Sequence, residues 1–422
     1  MSVRLKILGA GQEVGRSAIL VDCGDKILMD YGVKLTPKGT ELPLHPDVTL
    51  DAAIISHAHL DHTGNLPHLF QNAKFLSYMT APTLDIAKIL WHDSLHIAGM
   101  EGTDANFSKQ EIIRTERFTF AVNYRREMHV TDSVSMELYD AGHILGSAIT
   151  RLNMKDKTLV YTGDFKEEET RLHNGADLGK IKHCNYLVME STYGDRDHPP
   201  RKELEKKFVA DVQDVIDRGG HALISGFAVG RSQEIADVLN EYNVEAETYF
   251  DGMCQKAASV YLKNPTYLKK PKLLSKALNR LNWVKNIKMR KAALKKPSII
   301  ITTSGMLQGG PVHFYLQDLY NDPNSKLFLT GYQVEETPGR ILMETGKINL
   351  NGIMTELKIK YEKYDFSAHA GKKELMSIAK RLSPEKIILV HGDHLIAKKL
   401  AADLKQEGFE TYTPKTGEEL IL

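Results

Sequence analysis

The sequence predicts an α/β fold in which a second α/β domain is inserted into the first. The first half is a series of short β-type runs, such as residues 3–8, 26–29 and 186–189, separated by Gly and Asp turns. Apolar residues between Leu204 and Ile216 recur at spacings of three and four, and Gly219 and Gly220 end this helical pattern. Strands that alternate with helices build α/β layers.

Composition predicts a soluble protein of a reducing compartment, the cytoplasm, that does not act at a membrane. The 422 residues carry a formal net charge of only +1, so the chain as a whole is not a basic nucleic-acid binder. Its cysteines, Cys23, Cys184 and Cys254, are far apart and odd in number, which argues against a disulfide framework and against a thiolate zinc site. No apolar run approaches the roughly 20 residues of a membrane span, and no signal-peptide pattern precedes the first strand.

Several apolar runs of the first half lead directly into polar residues. Residues 53–55 lead to His57, residues 159–161 to Asp164, residues 187–189 to Glu190, and residues 387–390 to His391. An α/β sheet binds ligands at the carboxyl ends of its strands, so we expect these side chains to share one site.

The spacing of these candidate ligands also predicts the domain boundaries. Residues 194–364 contain strand–helix units of their own but none of the candidate ligands, which reappear at His369 and His391. We therefore expect a first domain built from residues 1–193 and 367–422, with an inserted domain over residues 194–366.

The strongest local motif is the run from His57 to His62, which contains His57, His59, Asp61 and His62. Zinc favours neutral imidazole and carboxylate ligands. A tight loop after a strand can aim His57 and His59 at one metal ion and Asp61 and His62 at a second. A surface histidine cluster is the alternative. His143, Asp164 and His391 are candidate partners, although each alone is equally explained as a hydrogen-bonded histidine or a turn aspartate.

Together these motifs resemble the β-CASP nucleases of the metallo-β-lactamase superfamily, a group that includes the nuclease subunit of the cleavage-and-polyadenylation complex and RNase J. The resemblance covers nearly the whole chain and implies an αββα sandwich with an inserted β-CASP domain. It also implies two Zn²⁺ ions. The implied ligands are His57, His59 and His143 for one ion, Asp61, His62 and His391 for the other, with Asp164 as the bridging carboxylate. Asp30 matches a motif aspartate that orients ligands, and Glu190, His369 and His391 match the three β-CASP motifs.

The resemblance implies a phosphodiesterase whose catalytic residues are His369, Glu190, Asp61 and Asp30. Two zinc ions can share a hydroxide and offset charge in an in-line displacement at phosphorus. His369 is the expected general acid for the departing ribose oxygen, and Glu190 is expected to orient it. The alternative is that His369 only donates a hydrogen bond to the phosphate. The expected products carry 5′-phosphate and 3′-hydroxyl ends.

One long segment predicts a surface for single-stranded RNA. Residues 252–297 contain thirteen Lys or Arg residues, among them Lys269, Lys270 and Arg290, and no Asp or Glu. A block of one sign this long is typical of a polyanion-binding face. The aromatic residues Tyr261, Tyr267 and Trp283 are expected to stack bases. The alternative is a solvated basic helix with aromatic residues in the core.

Two Gly-containing segments that follow strands resemble β-CASP segments and are candidate phosphate sites. The first contains Arg231 and Ser232, and the second contains Ser304, Gly305, Met306 and Gln308. The second is closer to the polyadenylation-type nuclease than to RNase J, which favours an endoribonuclease. A 5′→3′ exoribonuclease of RNase J type, a DNA substrate and a non-catalytic RNA-binding scaffold are the alternatives. The family also suggests a homodimer.

Overall fold

The chain divides into two compact units in the computed structural model, which describes residues 2–36, 38–71, 74–179 and 181–422. The first unit comprises Met1–Asp197 and Ala368–Leu422, and the second comprises His198–Ser367. The sequence places the junctions after residues 193 and 366, whereas the units meet after residues 197 and 367. The first unit is thus built from both ends of the chain.

The first segment of the first unit contributes most of its strands. These are β1 (Arg4–Gly9), β2 (Ala18–Asp22), β3 (Lys26–Met29), β4 (Lys34–Thr36), β5 (Gly39–Glu41), β6 (Ala52–Ile54), β7 (Leu76–Met79), β8 (Thr119–Ala121), β9 (Met128–His129), β10 (Val134–Asp140), β11 (Ala148–Met154), β12 (Lys157–Tyr161) and β13 (Tyr186–Glu190). The helices of this segment are α1 (Leu60–Thr63), α2 (Leu66–Leu69), α3 (Ala81–Glu101) and α4 (Lys109–Arg117).

The second unit alternates helices and strands. Its elements are α5 (Arg201–Asp217), β14 (Ala222–Ser225), α6 (Arg231–Glu241), β15 (Thr248–Asp251), α7 (Cys254–Lys263), a 3₁₀ turn (Pro265–Tyr267), α8 (Pro271–Asn279), β16 (Asn282–Trp283), α9 (Ile287–Ala293), β17 (Ile299–Thr302), α10 (Pro311–Leu319), β18 (Lys326–Leu329), α11 (Pro338–Thr345), β19 (Lys347–Leu350), β20 (Ile353–Glu356) and β21 (Lys360–Lys363). Its main sheet has the order β16-β15-β17-β14-β18-β21, with every neighbouring pair parallel. All carboxyl ends of these strands therefore lie at one edge.

The chain then returns to the first unit with α12 (Lys372–Leu382), β22 (Lys386–Val390), α13 (His394–Gln406), β23 (Glu410–Tyr412) and β24 (Glu419–Ile421). One sheet of this unit has the order β24-β1-β2-β3-β6-β7-β8, and the other has the order β23-β22-β13-β12-β11-β10-β9. Each end of the chain thus contributes strands to both sheets.

The two sheets of the first unit pack face to face around one apolar core. Alternate residues such as Ile27 and Met29 from the first sheet meet Leu159 and Tyr161 from the second. The outer face of the second sheet, which includes Val160, packs against the buried faces of α12 and α13. Two packed sheets with helices on the outer face of the second agree with the αββα sandwich that the resemblance implies.

The predicted elements match the structure closely. The strand over residues 26–29 has the predicted bounds, and the helix predicted between Leu204 and Ile216 extends over Arg201–Asp217. Phe208, Val212 and Val215 form its buried face. Within the described ranges, none of the helices combines the length and hydropathy that a bilayer span requires.

Candidate metal centre

Polar side chains of the first unit gather where neighbouring strands end. Asp30 follows β3; His57, His59, Asp61 and His62 follow β6; His143 follows β10; Asp164 follows β12; Glu190 ends β13; and His391 follows β22. These strands lie side by side in the two packed sheets, with β3 parallel to β6 and β12 and β22 both parallel to β13. Residues far apart in sequence therefore converge at one edge of the sandwich.

The first ligand set consists of His57, His59, His143 and Asp164. The Nε2 atoms of His57 and His143 both lie 3.2 Å from Nδ1 of His59. Asp164 Oδ2 lies 3.5 Å from His57 Nε2 and 3.8 Å from His143 Nε2. These are the four residues that the sequence assigns to one metal ion and to the bridging position.

The second ligand set consists of Asp61, His62, His391 and the same Asp164. Asp61 Oδ2 lies 3.2 Å from His391 Nε2 and 4.0 Å from His62 Nε2. Asp164 Oδ2 lies 3.3 Å from His62 Nε2, and its Oδ1 lies 3.3 Å from His391 Nδ1. Asp164 thus belongs to both sets, and it is the residue that the family resemblance proposes as the bridging carboxylate.

The donor geometry of the first set fits a tetrahedral metal ion. Metal–nitrogen bonds of about 2.0–2.1 Å give a tetrahedron an edge of about 3.3 Å, close to the 3.2 Å between these ring nitrogens. In the described part of the chain, Asp164 Oδ1 is buried without a hydrogen-bond partner. Buried polar atoms are rarely left this way unless an ion or water is to meet them. Converging imidazole nitrogens and a shared carboxylate are the donors that zinc prefers.

Hydrogen bonds on the far side of the rings orient the ligands. His143 Nδ1 lies 2.9 Å from the carbonyl oxygen of Ala368, and His57 Nδ1 lies 3.1 Å from Ser56 Oγ. Thr192 Oγ1 lies 3.3 Å from His391 Nδ1. For His57 and His143 the partner holds Nδ1, so Nε2 faces the cluster, as in many metal sites.

Asp30 orients His62 in the same way and does not reach the cluster. Asp30 is completely buried, and its φ is 59°. Oδ2 lies 2.7 Å from His62 Nδ1 and accepts hydrogen bonds from Tyr161 Oη and Ser56 Oγ, while Oδ1 accepts one from Ser56 N. The sequence gives no indication of Tyr161, which contacts Asp30 from the facing sheet. Ser56 is easier to find, because it immediately precedes His57.

Burial and the neighbouring charges set the protonation of these ligands. Burial lowers the pKa of His59 to about 4, and it lowers the pKa values of His57 and His143 well below the usual range, so all three rings are neutral. Burial alone would raise the pKa of Asp164, but the rings of His391 and His62 lower it well below its usual range. The first ligand set thus has the neutral imidazoles and ionised carboxylate that a metal ion requires, whereas burial of His62 is outweighed by the charges of nearby aspartates, which raise its pKa well above its usual range.

His369 and Glu190 form a pair beside Asp164. His369 Nδ1 lies 3.0 Å from Glu190 Oε2 and 3.9 Å from Asp164 Oδ2. The second Glu190 oxygen, Oε1, accepts a hydrogen bond from Phe165 N at 2.9 Å. Burial opposes protonation of His369, but the charges of Glu190 and Asp164 outweigh burial and raise the pKa of His369 to about 9. The ring is therefore a cation in the metal-free chain at neutral pH.

The predicted phosphate residues of the second unit are largely engaged within that unit. Arg231 is 7% exposed and pairs with Glu234 one turn along α6. Ser232 is fully buried, and its Oγ donates to the carbonyl oxygen of Phe227. These two side chains stabilise the start of α6, so the expectation that they meet RNA directly is not supported by their burial.

The second Gly-containing segment follows β17, at the edge of the second unit's main sheet where its parallel strands end. Ser304 contributes its carbonyl oxygen to Ser225 Oγ, and Gly305 contributes its carbonyl oxygen to Gln333 Nε2. Met306 accepts a hydrogen bond from Gly339 N, and Gln308 is half-buried. A Cβ at Gly305 would lie 2.9 Å from Phe227 N, so the close approach of these loops requires glycine. Sequence reasoning missed Gln333, whose loop follows β18.

The basic segment presents most of its lysines to solvent, whereas Tyr261 is buried and Tyr267 and Trp283 are half-buried. Lys270 is exposed and Lys269 is half-buried. Arg290 is bound to Asp251 through Nε and Nη2 at 2.7 and 3.2 Å. Tyr261 is fully buried, so the expectation that it stacks a base is wrong. Trp283 is half-buried, with its ring against Phe250.

Comparison with protein families gives consecutive matches along the chain. The Beta-Casp domain model matches residues 232–342, and a model described as a Zn-dependent metallo-hydrolase RNA specificity domain matches residues 355–414. A model of the Anti-Pycsar protein Apyc1 matches residues 5–187. The Beta-Casp match lies within the second unit, and the other two cover most of the first.

Curated relatives match the chain from end to end. The "Probable RNase MJ4" of Methanocaldococcus jannaschii is 39% identical over 98% of this chain and 98% of its own length. The "RNase aCSPSF2" of Saccharolobus solfataricus is 38% identical over 100% of this chain and 86% of its own length. A crystal structure of a protein of unknown function from Enterococcus faecalis has the same fold, with a TM-score of 0.64 at 15% identity over the full length of both chains. The chain therefore belongs to the β-CASP family of the metallo-β-lactamase superfamily and is a metal-dependent hydrolase.

Proposed function

We propose that this chain is a ribonuclease that holds two Zn²⁺ ions and cleaves single-stranded RNA internally, in the cytoplasm. The observation that carries the proposal is the pair of ligand sets that share Asp164, with His369 and Glu190 beside the shared residue. The names of the relatives described above add support, because both are RNases.

The first ligand set would hold one ion and the second set the other, with Asp164 in contact with both. When bound, the ions lower the pKa of water toward neutrality and offset the negative charge of the phosphodiester. Asp30 keeps His62 in the tautomer that presents Nε2 to the cluster, through the 2.7 Å contact at Nδ1. A centre for phosphodiester hydrolysis needs residues that hold the ions and residues that keep the ligands correctly oriented.

His369 is proposed as the general acid. Glu190 accepts a hydrogen bond from His369 Nδ1–H, which fixes the ring and leaves the second N–H at Nε2. As hydroxide forms the new P–O bond and the P–O3′ bond breaks, His369 donates this proton to the departing O3′ of the ribose. The products then carry 5′-phosphate and 3′-hydroxyl ends.

The preference for RNA rests on the second unit and on the C-terminal family match. Lys256, Lys263, Lys270, Lys272, Lys276, Arg280, Lys285, Lys288, Lys291, Lys295 and Lys296 are exposed on one segment. Solvated cations of one sign attract the phosphate backbone without reading its sequence. The matched model over residues 355–414 is described as an RNA specificity domain.

A pair of matched substrates tests internal cleavage directly. The zinc-loaded chain would be incubated with one RNA sequence in circular and in linear form, the linear form carrying a 5′ label. EDTA-treated protein and a His369→Ala variant are the controls. We expect early internal cuts in both RNAs, no cuts after EDTA treatment, and a variant that keeps its zinc but loses most of its turnover.

The other outcomes separate the alternatives. Release of labelled mononucleotide from the linear RNA, with the circle intact, would make the chain a 5′→3′ exoribonuclease. A chain that binds both RNAs and cuts neither would be a binding scaffold. A His369→Ala variant with the wild-type rate would remove the general-acid assignment. Sedimentation of the same preparation would test the homodimer.

A further inference from the structure

Glu374 lies in the first turn of α12 and makes contacts that helix capping alone does not require. Its Oε2 accepts a hydrogen bond from Gly371 N at 2.7 Å, which is the capping contact. The same carboxylate also binds three groups of a segment more than 200 residues away. The side chain is only 11% exposed, so these contacts are shielded from solvent.

The distant segment is the one that follows Asp164. Lys166 Nζ lies 2.5 Å from Glu374 Oε2, and the side chain of Lys166 is 6% exposed. The backbone N–H groups of Glu167 and Glu168 both donate to Glu374 Oε1 at 2.8 Å. A buried ion pair with additional backbone donors is a strong local constraint, because removing the Glu374 carboxylate leaves Lys166 and both backbone N–H groups without this acceptor.

The near segment is the one that carries His369. Gly371, which Glu374 binds, is two residues beyond His369 in sequence. Gly371 N and Glu167 N thus share one carboxylate, and their positions on either side of it are fixed together. The distance between Asp164 and His369, 3.9 Å from Oδ2 to Nδ1, is set at this point in addition to the Glu190 contact.

We propose that Glu374 is a positioning residue that fixes the general acid relative to the metal-bridging carboxylate. Its hydrogen bonds go to Lys166, Glu167, Glu168 and Gly371, so it acts through the segments that carry Asp164 and His369. The inference rests on the proposed function, since it assigns Glu374 to the proton-transfer step. In that step the acid must reach the departing O3′ at hydrogen-bond distance, so a small displacement of His369 reduces the rate.

Two substrates with different leaving groups separate this role from a structural one. RNA needs protonation of O3′, whereas bis(p-nitrophenyl) phosphate releases a nitrophenolate that is a stable anion at neutral pH. We expect Glu374→Gln to lower kcat for RNA about 10- to 100-fold, the range found for groups that orient an active residue. KM for RNA, the zinc content and the rate on bis(p-nitrophenyl) phosphate should stay within about twofold of wild type, and His369→Ala should give the same pattern.

Glu111→Gln is the matched control, because Glu111 also completes a capping box, at the start of α4, by accepting from Ser108 N at 2.9 Å. This variant should cleave both substrates at the wild-type rate. Lys166→Met provides a second test if Glu374→Gln folds poorly, and it should show the same selective loss on RNA.

Equal losses on both substrates, or loss of zinc, would overturn the inference, because Glu374 would then support the metal centre or the fold. Unchanged cleavage of RNA by Glu374→Gln would overturn it as well. If the wild-type chain itself left RNA intact, the proposed function would fail, and the inference would fail with it. If wild type cleaves RNA and Glu374→Gln equals it, only the inference fails.

Discussion

Both units place polar residues at the carboxyl ends of parallel strands, yet the two edges differ in how these residues are used. In the first unit, ring nitrogens and carboxylate oxygens face one another at 3.2–3.8 Å around Asp164. In the second unit, Ser225, Thr330 and Gln333 form hydrogen bonds with backbone carbonyl groups of adjoining loops. The first edge gathers candidate ligand atoms around one shared carboxylate, whereas these three side chains of the second edge donate to backbone carbonyl groups.

Two equally buried carboxylates make the contrast sharpest. Asp164 and Asp251 are each 2% exposed and follow or end a parallel strand. Asp251 accepts hydrogen bonds from Arg290 Nε at 2.7 Å and from Tyr315 Oη at 2.8 Å, so a cation and a hydroxyl of the chain satisfy it. Asp164 instead lies within 3.9 Å of ring nitrogens from five histidines, and its Oδ1 has no hydrogen-bond partner. A buried carboxylate held by an arginine and a tyrosine stabilises a fold, whereas one surrounded by converging ring nitrogens is a candidate metal ligand.

The largest expected effect comes from replacing these two carboxylates in turn. Asp164→Asn should lose bound zinc and lower RNA cleavage by at least about a thousandfold, since several kcal/mol of transition-state stabilisation depends on the metal ions. Asp251→Asn should keep its zinc and lose about 1–3 kcal/mol of unfolding free energy, because Arg290 loses a charged acceptor. Zinc per chain, measured by atomic emission, and denaturant unfolding give the two readouts.

The reverse pattern would contradict the comparison. If Asp251→Asn lost zinc, or if Asp164→Asn retained both ions and its rate, burial and pairing would not distinguish a metal ligand from a structural carboxylate in this chain.

Metal removal should destabilise one unit and leave the other unchanged. The two tryptophans of the sequence report separately, because Trp91 lies in the first unit and Trp283 in the second. Trp283→Phe leaves the first unit as the fluorescent reporter, and Trp91→Phe leaves the second. At a free zinc concentration 100 times the dissociation constant, a bound ion adds about 2.7 kcal/mol of stability. EDTA should therefore lower the denaturant midpoint seen by Trp91 and not the one seen by Trp283.

Equal shifts for both reporters would mean that the units unfold as one cooperative body. No shift for either would mean that the ions contribute nothing to stability under these conditions, and that the ligand sets are held by the protein alone.

Sequence reasoning could predict the candidate ligands because their signal is local. The run from His57 to His62 and the apolar strands before Asp164, Glu190 and His391 are visible without a fold. The gathering of these residues at one edge then follows from a general property of α/β sheets. The αββα arrangement came from family resemblance, since short β-type runs do not reveal which of two sheets they join.

The contacts that support the ligands could not be found this way. Tyr161 reaches Asp30 across 131 positions, and Lys166 meets Glu374 across 208. The burial of Tyr261 inside α7 was also misjudged, because an aromatic residue among lysines has the same sequence pattern on either face of a helix. Pairing decides the role of such residues, and it depends on tertiary neighbours.

A smaller effect is expected on the basic surface, where exposure and pairing again separate the residues. Lys270 and Lys272 are exposed, whereas Arg290 is held by Asp251. The double variant Lys270→Ala, Lys272→Ala should weaken binding of single-stranded RNA. It should also flatten the log–log salt dependence by about 0.7 for each phosphate that the variant no longer neutralises. Fluorescence anisotropy over a salt series measures both.

Arg290→Ala should change this slope less than the double variant and should instead lower the stability reported by Trp283. If Arg290→Ala flattened the slope as much as the double variant, the ion pair with Asp251 would open on binding, and the second unit would use paired residues as well.

The smallest expected effect concerns a cluster of charged and polar side chains in the second unit that pair with one another. Lys326 Nζ lies 3.1 Å from Asp211 Oδ2, 2.7 Å from Glu362 Oε2 and 2.8 Å from Tyr364 Oη. Burial alone would raise the pKa values of Asp211 and Glu362, but hydrogen bonds from Tyr364, Lys207 and Lys326 lower both pKa values. Because both folded pKa values lie below the unfolded ones, their contribution is complete at neutral pH and is lost as pH falls through the folded pKa values.

Lys326→Met should remove part of this contribution, at most about 0.5–1 kcal/mol, since the two carboxylates are 30% and 39% exposed and solvent screens the pairs. Urea unfolding of the Trp91→Phe chain, with and without Lys326→Met, would be followed at pH 7 and at successively lower pH down to 3. The two curves should differ at pH 7 and converge in acid, where the carboxylates are protonated in both chains. A difference that stays constant with pH would mean that Lys326 acts through packing of its alkyl chain against Tyr364. Apolar contact, and not charge, would then stabilise this cluster.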